Sequence, residues 1–235
     1  MLESLAGRVA VVTGGGSGIG AAIVARFESE GVTCHALARR GPVKVDVSDR
    51  SAVRAFFDAV ERVDILVCSA GDNVKGRRLE QVDGPTWDAL IAVNLSSAFY
   101  CIEAALPKLR ESRGSVVLVG SVSGQWPDGS GPAYQASKAG LAALARAAGF
   151  EEHVHGVRFS VVNPGVVDTA ILQKRPVPPP PEVAAAMLRA EDVAEAVHLM
   201  VALPRRAHIP ELTILPTRLQ AVGKTSVANP EPAPE

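Results

Sequence analysis

The stretch Val9-Ala10-Val11-Val12-Thr13-Gly14-Gly15-Gly16-Ser17-Gly18-Ile19-Gly20 constrains this chain more than any other. Four apolar residues run straight into a turn with glycines at 14, 15, 16, 18 and 20, and a helical, alanine-rich stretch follows from Ala21 to about Ser29. A short unbroken apolar run reads as a strand buried on both faces, as in a parallel sheet. Glycine allows positive φ and close approach of the backbone to a ligand. A helix starting there aims free N–H groups and the positive end of its dipole into the turn. Strand, glycine turn and helix N-terminus together describe a cradle for a dinucleotide pyrophosphate, with Gly14, Ser17, Gly18, Ile19 and Gly20 around it.

Composition narrows the class. The 235 residues suit one α/β domain with a sizeable core, and 47% apolar against 21% charged residues is ordinary for a globular protein. A formal net charge of -1 argues against attraction to nucleic acid or a membrane surface. No apolar run reaches the ~20 residues of a membrane span. Met1-Leu2-Glu3-Ser4 lacks the regions of a signal peptide, so a cytoplasmic location is expected. Cys34, Cys68 and Cys101 are far apart and set in apolar stretches, as buried free thiols are. His153 and His155 have no third ligand nearby, so no metal is expected and both read as residues of a solvated helix end or loop.

Along the chain, Thr33–Ala38 reads as the second strand, ended by Arg39-Arg40-Gly41-Pro42. In dinucleotide folds the residue past this strand meets the adenosine ribose. An acid there suits a free 2′-hydroxyl and an arginine suits a 2′-phosphate. Arg39 and Arg40 therefore favour NADP(H), with NAD(H) as the alternative; the competing reading is two solvated charges at a strand end. Val43–Val47 is expected as a third strand with no helix before it. Asp46 at its end is placed to accept from the adenine amino group, with Val47 packing on the ring; Ser48 or Asp49 suits a helix N-cap. A helix over 51–60 and a strand at Ile65–Cys68 follow, then the small-residue turn Ser69-Ala70-Gly71, whose backbone passes beneath the cofactor ribose. One long helix is expected over 85–109, ended or kinked by Pro107, with the amide of Asn94 set in an apolar stretch. The strand Ser115–Val119 leads to Ser121 and Ser123. A helix opens at Pro132 and runs to about Gly149, and a strand over 157–162 leads into Asn163-Pro164-Gly165. Lys174–Glu182, with prolines at 178–181, is expected as a stiff hinge or lid over the substrate, a docking motif being the alternative. A last helix covers 190–203 and a last strand 212–215.

Tyr134 and Lys138 are four residues apart and share a helix face. A tyrosine titrates near ~10 when unperturbed. A nearby ammonium and an oxidised nicotinamide would favour its phenolate, making Tyr134 a general acid in reduction and a general base in oxidation. Ser121, thirteen residues upstream at a strand end, could hold a substrate carbonyl; Ser123 is the competing candidate.

With Thr13-Gly14-x-x-x-Gly18-x-Gly20, Ala70-Gly71, Asn94, Ser121, Tyr134, Lys138 and Asn163-Pro164-Gly165 in this order, the chain resembles the short-chain dehydrogenase/reductase family from about Gly7 to Pro216. The resemblance implies a single α/β domain with a Rossmann-type doubly wound parallel sheet over 1–221; the polar tail 222–235 is expected to be disordered. It implies hydride transfer between nicotinamide and a small carbonyl or secondary alcohol, with Asn94, Ser121, Tyr134 and Lys138 as the active tetrad. The asparagine carbonyl would hold a proton-relay water, and Lys138 would also reach the nicotinamide ribose. Pro164, Gly165, Val167 and Thr169 would shape the nicotinamide pocket. Members often pair through two long helices, which implies a homodimer or homotetramer. Where the family has Asn-Asn-Ala-Gly, this chain has Cys68-Ser69-Ala70-Gly71, leaving the bracing of that turn open. A 3-oxoacyl-thioester reductase is the alternative, favoured if Arg77-Arg78 form a basic patch; a dinucleotide sensor without turnover is a third reading.

Overall fold

The computed structural model describes residues 2–219. Seven strands form one parallel sheet: β1 (Val9–Thr13), β2 (Thr33–Ala38), β3 (Val43–Lys44), β4 (Ile65–Cys68), β5 (Ser115–Val119), β6 (Arg158–Pro164) and β7 (Glu211–Ile214). Their order is β3-β2-β1-β4-β5-β6-β7, so the direction of winding reverses between β1 and β4. Ligands of such sheets bind at the carboxyl ends of the strands by that reversal, which is where the glycine turn lies.

Both faces are covered. The helices α1 (Gly18–Glu28) and α7 (Ala190–Ala202) pack on one face, and α2 (Arg50–Ala59), α4 (Ser97–Ser112) and α5 (Pro132–Glu152) on the other. The alternation of strand side chains makes this possible. In β4, Leu66 and Cys68 face the α2–α4–α5 layer while Ile65 and Val67 face the α1–α7 layer. In β5, Val116 and Leu118 do the former and Val117 the latter. Two apolar faces explain why these strands read as continuous apolar runs.

Three elements differ from the sequence reading. β3 covers only Val43–Lys44 rather than Val43–Val47. Asp46 Oδ1 takes the Ser48 N–H (3.0 Å) and hydroxyl (2.6 Å) and turns the chain toward α2. The cap of α2 is Asp49, which accepts from the Ser51 and Ala52 N–H groups. The missing crossover helix is as expected: residues 39–42 alone join two parallel neighbours.

The expected helix over 85–109 is α3 (Gly84–Ile91), a π turn (Ala92–Ser96) and α4. Pro107 does not end it; α4 continues to Ser112 and stops where Arg113 turns left-handed at φ 51°. Proline costs one N–H bond, and the later N–H groups keep theirs. Taken together this run is long and apolar enough by composition to cross a membrane. Here Ala98, Cys101, Ala105 and Leu109 are buried in the core beneath the sheet. Lys174–Glu182 resolves into the end of a 3₁₀ turn (Ala170–Lys174), an extended proline segment and α6 (Pro181–Ala185). Leu172, Val183, Met187 and Leu219 form a small separate cluster there. The last two residues of the domain expected over 1–221 and the tail 222–235 lie outside the described residues.

Candidate active site

The glycine turn is tight enough that side chains are excluded. Gly14 and Gly18 sit at φ 68° and 51°. A Cβ on Gly14 would lie 3.0 Å from the Ala70 Cα, and one on Gly20 would run into the Gly14 carbonyl. The N-cap of α1 is Ser17, extended and making no side-chain cap, and no acid stands in the first turn. The helix thus keeps its N-terminal N–H groups and dipole end for an anion. This fits the pyrophosphate of a dinucleotide. Thr169 lies across the turn, with its Cγ2 3.3 Å from where a Cβ of Gly18 would be. Ile19 is half-buried against the α1–α7 core.

Thr13 answers the question left by Cys68 and Ser69. Its hydroxyl accepts from the N–H groups of both Ser69 and Ala70, each at 3.1 Å. The turn under the cleft is therefore braced from β1 without the two family amides. Asn94 braces the next residues: its Oδ1 accepts from the Asp72 N–H (2.7 Å) and its Nδ2 donates to the Asp72 carbonyl (3.0 Å). It is 1% exposed and sits in the π turn. Both ends of the amide are therefore engaged by the Asp72 main chain.

Ser121, Tyr134 and Lys138 converge across β5 and α5. Burial pushes the Tyr134 phenol up to about 12; a hydrogen bond with the Ser121 side chain pulls it down, Asp128 raises it and Arg77 lowers it. Tyr134 as a whole is half-buried. The expected lowering by Lys138 is not what governs this phenol. The Lys138 ammonium, 5.6 Å from the ring centroid, donates to the Val119 carbonyl at 2.8 Å. Burial alone pulls Lys138 down to about 8.

Ser123, the competing serine, is engaged elsewhere: its hydroxyl donates to Asp128 (2.5 Å) and lies 3.1 Å from the Ser130 hydroxyl. The Ser121 turn is anchored by Asn163, whose Oδ1 accepts the Ser121 N–H (3.2 Å) and whose Nδ2 donates to Glu211 (2.9 Å). Sequence reasoning gave Asn163, Glu211 and Thr13 no such role, because each acts through a contact between distant segments. Pro164 ends β6, and Gly165 donates its N–H to Ile214 at 2.8 Å. Val167 is buried beside Leu188.

At the other end of the crevice Arg39 and Arg40 are exposed. The Arg40 carbonyl lies 3.2 Å from where a Cβ of Gly16 would be, so this segment passes beside the glycine turn. Asp46 is exposed, and the bond from the Ser48 side chain, with Arg39 assisting, holds its carboxyl below the usual range. Val47, expected to pack on an adenine ring, is instead 7% exposed in the core with Val53 and Phe57. Arg77, whose place in a basic patch with Arg78 would have favoured a thioester reductase, is 8% exposed and does not contribute to such a patch. His153 and His155 lie in a 3₁₀ turn after α5, as expected.

A family model described as short chain dehydrogenase matches residues 38–178. An uncharacterized oxidoreductase of Staphylococcus aureus (strain USA300) is 31% identical over 241 residues, covering 90% of this chain and 98% of that one. An uncharacterized oxidoreductase of Bacillus subtilis is 29% identical over 192 residues, covering 72% and 70%. Among solved structures, the closed form of serine dehydrogenase complexed with NADP+ superposes with a TM-score of 0.82 at 26% identity, over 92% of this chain and 97% of that one. A 3-ketoacyl-(acyl-carrier-protein) reductase from Brucella melitensis complexed with NADH shares the fold at a TM-score of 0.80 and 24% identity, over 92% and 99%.

Proposed function

The chain belongs to the short-chain dehydrogenase/reductase family of oxidoreductases, and on that premise we propose that it interconverts a small carbonyl compound and its secondary alcohol with NADP(H). The observation that carries this reading is the meeting of the Ser121 and Tyr134 side chains beside a buried, main-chain-anchored Lys138. In this reading the glycine turn and the N-terminus of α1 hold the pyrophosphate, Thr169 closes over it, and Ala70 and Gly71 floor the ribose. Pro164, Gly165 and Val167 border the nicotinamide. Arg39 and Arg40 take the 2′-phosphate, and Asp46 faces the adenine. The bound dinucleotide supplies or accepts the hydride.

The protein's own part is proton handling and orientation. Ser121 Oγ donates to the substrate oxygen and fixes it next to the phenol. Tyr134 Oη gives that oxygen a proton in reduction and takes it back in oxidation. A phenol raised to about 12 stays protonated at neutral pH, which suits the acid of the reductive direction. Lys138 keeps a positive charge at its fixed position below about pH 8, which favours the phenolate once the proton has left. The Asn94 main-chain carbonyl is placed to hold the water that restores the proton.

Phe99 on α4 and Phe150 on α5 are 47% and 79% exposed, which supports pairing of copies through these two helices. The test is nicotinamide fluorescence on titration with NADPH and NADH, followed by turnover of a carbonyl panel with the better cofactor. Tight NADPH binding with turnover that Tyr134→Phe abolishes is the expected result. Binding without turnover of any carbonyl by wild type favours the sensor reading. Preference for NADH overturns the role given to Arg39.

A further inference from the structure

Arg77 stands in the polar segment after β4, where a charged side chain would ordinarily reach into solvent, yet only 8% of it is exposed. Its Nη2 donates to the Lys174 carbonyl. Its main chain lies against Gly131, at φ 89°, where any Cβ would run into the Arg77 carbonyl. Gly131 immediately precedes α5, three residues before Tyr134. The residue is thus held at its main chain by the start of the helix bearing Tyr134 and at its guanidinium by the 170–175 segment. Its Nε is buried and makes no hydrogen bond within the described residues. A buried charged donor left unmade is costly and marks a place where a partner of opposite charge belongs.

The surrounding charges define that partner. Arg175, half-buried, acts on Arg77: after burial itself, its charge is the next influence holding the Arg77 guanidinium below the usual arginine range. Asp128 acts on Tyr134, Arg77 and Arg175 alike, and is held by Ser123 and by the Ser130 N–H at 2.8 Å. Lys174 is matched by Asp72 at 2.5 Å. The Asp128 carboxylate thus acts on two guanidiniums at once, those of Arg77 and Arg175. A guanidinium edge fits a carboxylate well. A phosphate monoester, close to doubly charged at neutral pH, would be repelled by Asp128 more strongly than a carboxylate would.

We propose that Arg77, with Arg175 beside it, is the anion-binding group of the substrate pocket, and that the substrate is a monocarboxylic acid carrying its reacting hydroxyl or oxo group a few bonds from the carboxylate. The proposal rests on the proposed oxidoreductase reading and adds the substrate class.

The test uses the full chain with NADP+ and a series of 2-, 3- and 4-hydroxy acids of three to five carbons, each beside its methyl ester. NADPH formation is followed, and propionate and propionamide are titrated calorimetrically into the NADP+-loaded protein. At least one acid is expected to exceed its ester about 100-fold in kcat/KM, the size of a lost charged hydrogen bond. Arg77→Gln should bring that ratio near unity, mainly through KM, with partial rescue by Arg77→Lys. Propionate should bind to wild type and propionamide should not. Should Arg77→Gln fail to fold, the wild-type ratio and Arg175→Gln carry the same test. Equal turnover of acid and ester, or an Arg77→Gln variant that lowers both alike, would overturn the proposal and leave Arg77 as a structural latch. Propionate binding without turnover of any acid or ester would overturn the oxidoreductase reading while keeping the anion site. No propionate binding and no acid preference would overturn the anion site alone.

Discussion

The two ends of the crevice are built differently. At the β4–β6 end, Asn94 holds the Asp72 main chain, Lys138 is bonded to the Val119 carbonyl, and Asn163 ties the Ser121 turn to Glu211. At the β2–β3 end, Arg39, Arg40 and Asp46 stand exposed beside a strand of two residues. The contrast suits the different tasks that the proposed function gives the two ends. Proton transfer requires atoms at hydrogen-bond distance, and a misplacement of about 1 Å can cost 100-fold. Attraction of a phosphate by a guanidinium acts over several ångströms and tolerates a mobile side chain. Substitutions at the first end should therefore change rate or fold, and those at the second should change cofactor choice alone.

Tyr134→Phe gives the largest expected effect. Removing the proton donor should lower kcat by roughly 10³–10⁴-fold, with cofactor binding kept, as stopped-flow or steady-state assays would show. A variant that kept a tenth of the rate would move the proton donor elsewhere and dissolve the contrast between the ends.

Thr13→Val comes next. It leaves the N–H groups of Ser69 and Ala70 without their acceptor. At about 1–3 kcal/mol for each orphaned buried group, a loss of roughly 2–4 kcal/mol is expected in urea denaturation, with Thr13→Ser close to wild type. Equal stability of the two variants would mean that Ser69 and Ala70 are satisfied without β1. The same pair shows where sequence reading stops. The inner strands β1, β4 and β5 were legible because both of their faces are covered, so each appears as an apolar run between turn residues. The grouping of Ser121, Tyr134 and Lys138 was legible because Tyr134 and Lys138 lie on one helix and Ser121 stands at a strand end. Thr13 and Asn163 were in plain view only as motif members, and Arg77 only as half of a conditional basic patch, because the partners that define their contacts lie 57, 42 and 97 residues away. The π turn was hidden for a different reason: α3 and α4 share a continuous apolar pattern, and a one-residue slip of the hydrogen-bond ladder leaves no compositional mark. Val47 misled because a valine after Asp46 serves a core as readily as a cleft.

Lys138 tests the buried end through pH. Its folded value of about 8 lies below the 10.5 of a free lysine. Between those values the unfolded chain holds a proton that the folded chain has lost, so stability rises with pH across the window, by up to about 1.4 kcal/mol per unit. Below about pH 8 the residue is charged in both states and its burial is a full liability. Lys138→Met should therefore be inactive yet more stable at pH 7 by roughly 1–3 kcal/mol, part of the gain being offset by the freed Val119 carbonyl. The difference should shrink toward pH 10. A constant difference from pH 7 to 10 would mean that Lys138 titrates normally and that its burial does not set its charge.

Arg39→Ala carries the smallest expected effect on the fold and sharpens the comparison most. The side chain is exposed and belongs to neither core cluster, so its removal should change unfolding free energy by less than about 0.5 kcal/mol. Its guanidinium, whose charge acts on Asp46, should instead be worth about 1.5–3 kcal/mol to a 2′-phosphate, the range of hydrogen bonds to charged groups. NADPH affinity should fall about 10- to 100-fold, NADH affinity should stay within a factor of two, and the NADPH deficit should shrink in high salt as screening removes the remaining attraction. Loss of both cofactors together would place Arg39 in the architecture of the turn, and the β2–β3 end would then be as interlocked as the other. Loss of neither would leave the adenosine contacts to Asp46 and to the four-residue connection before β3.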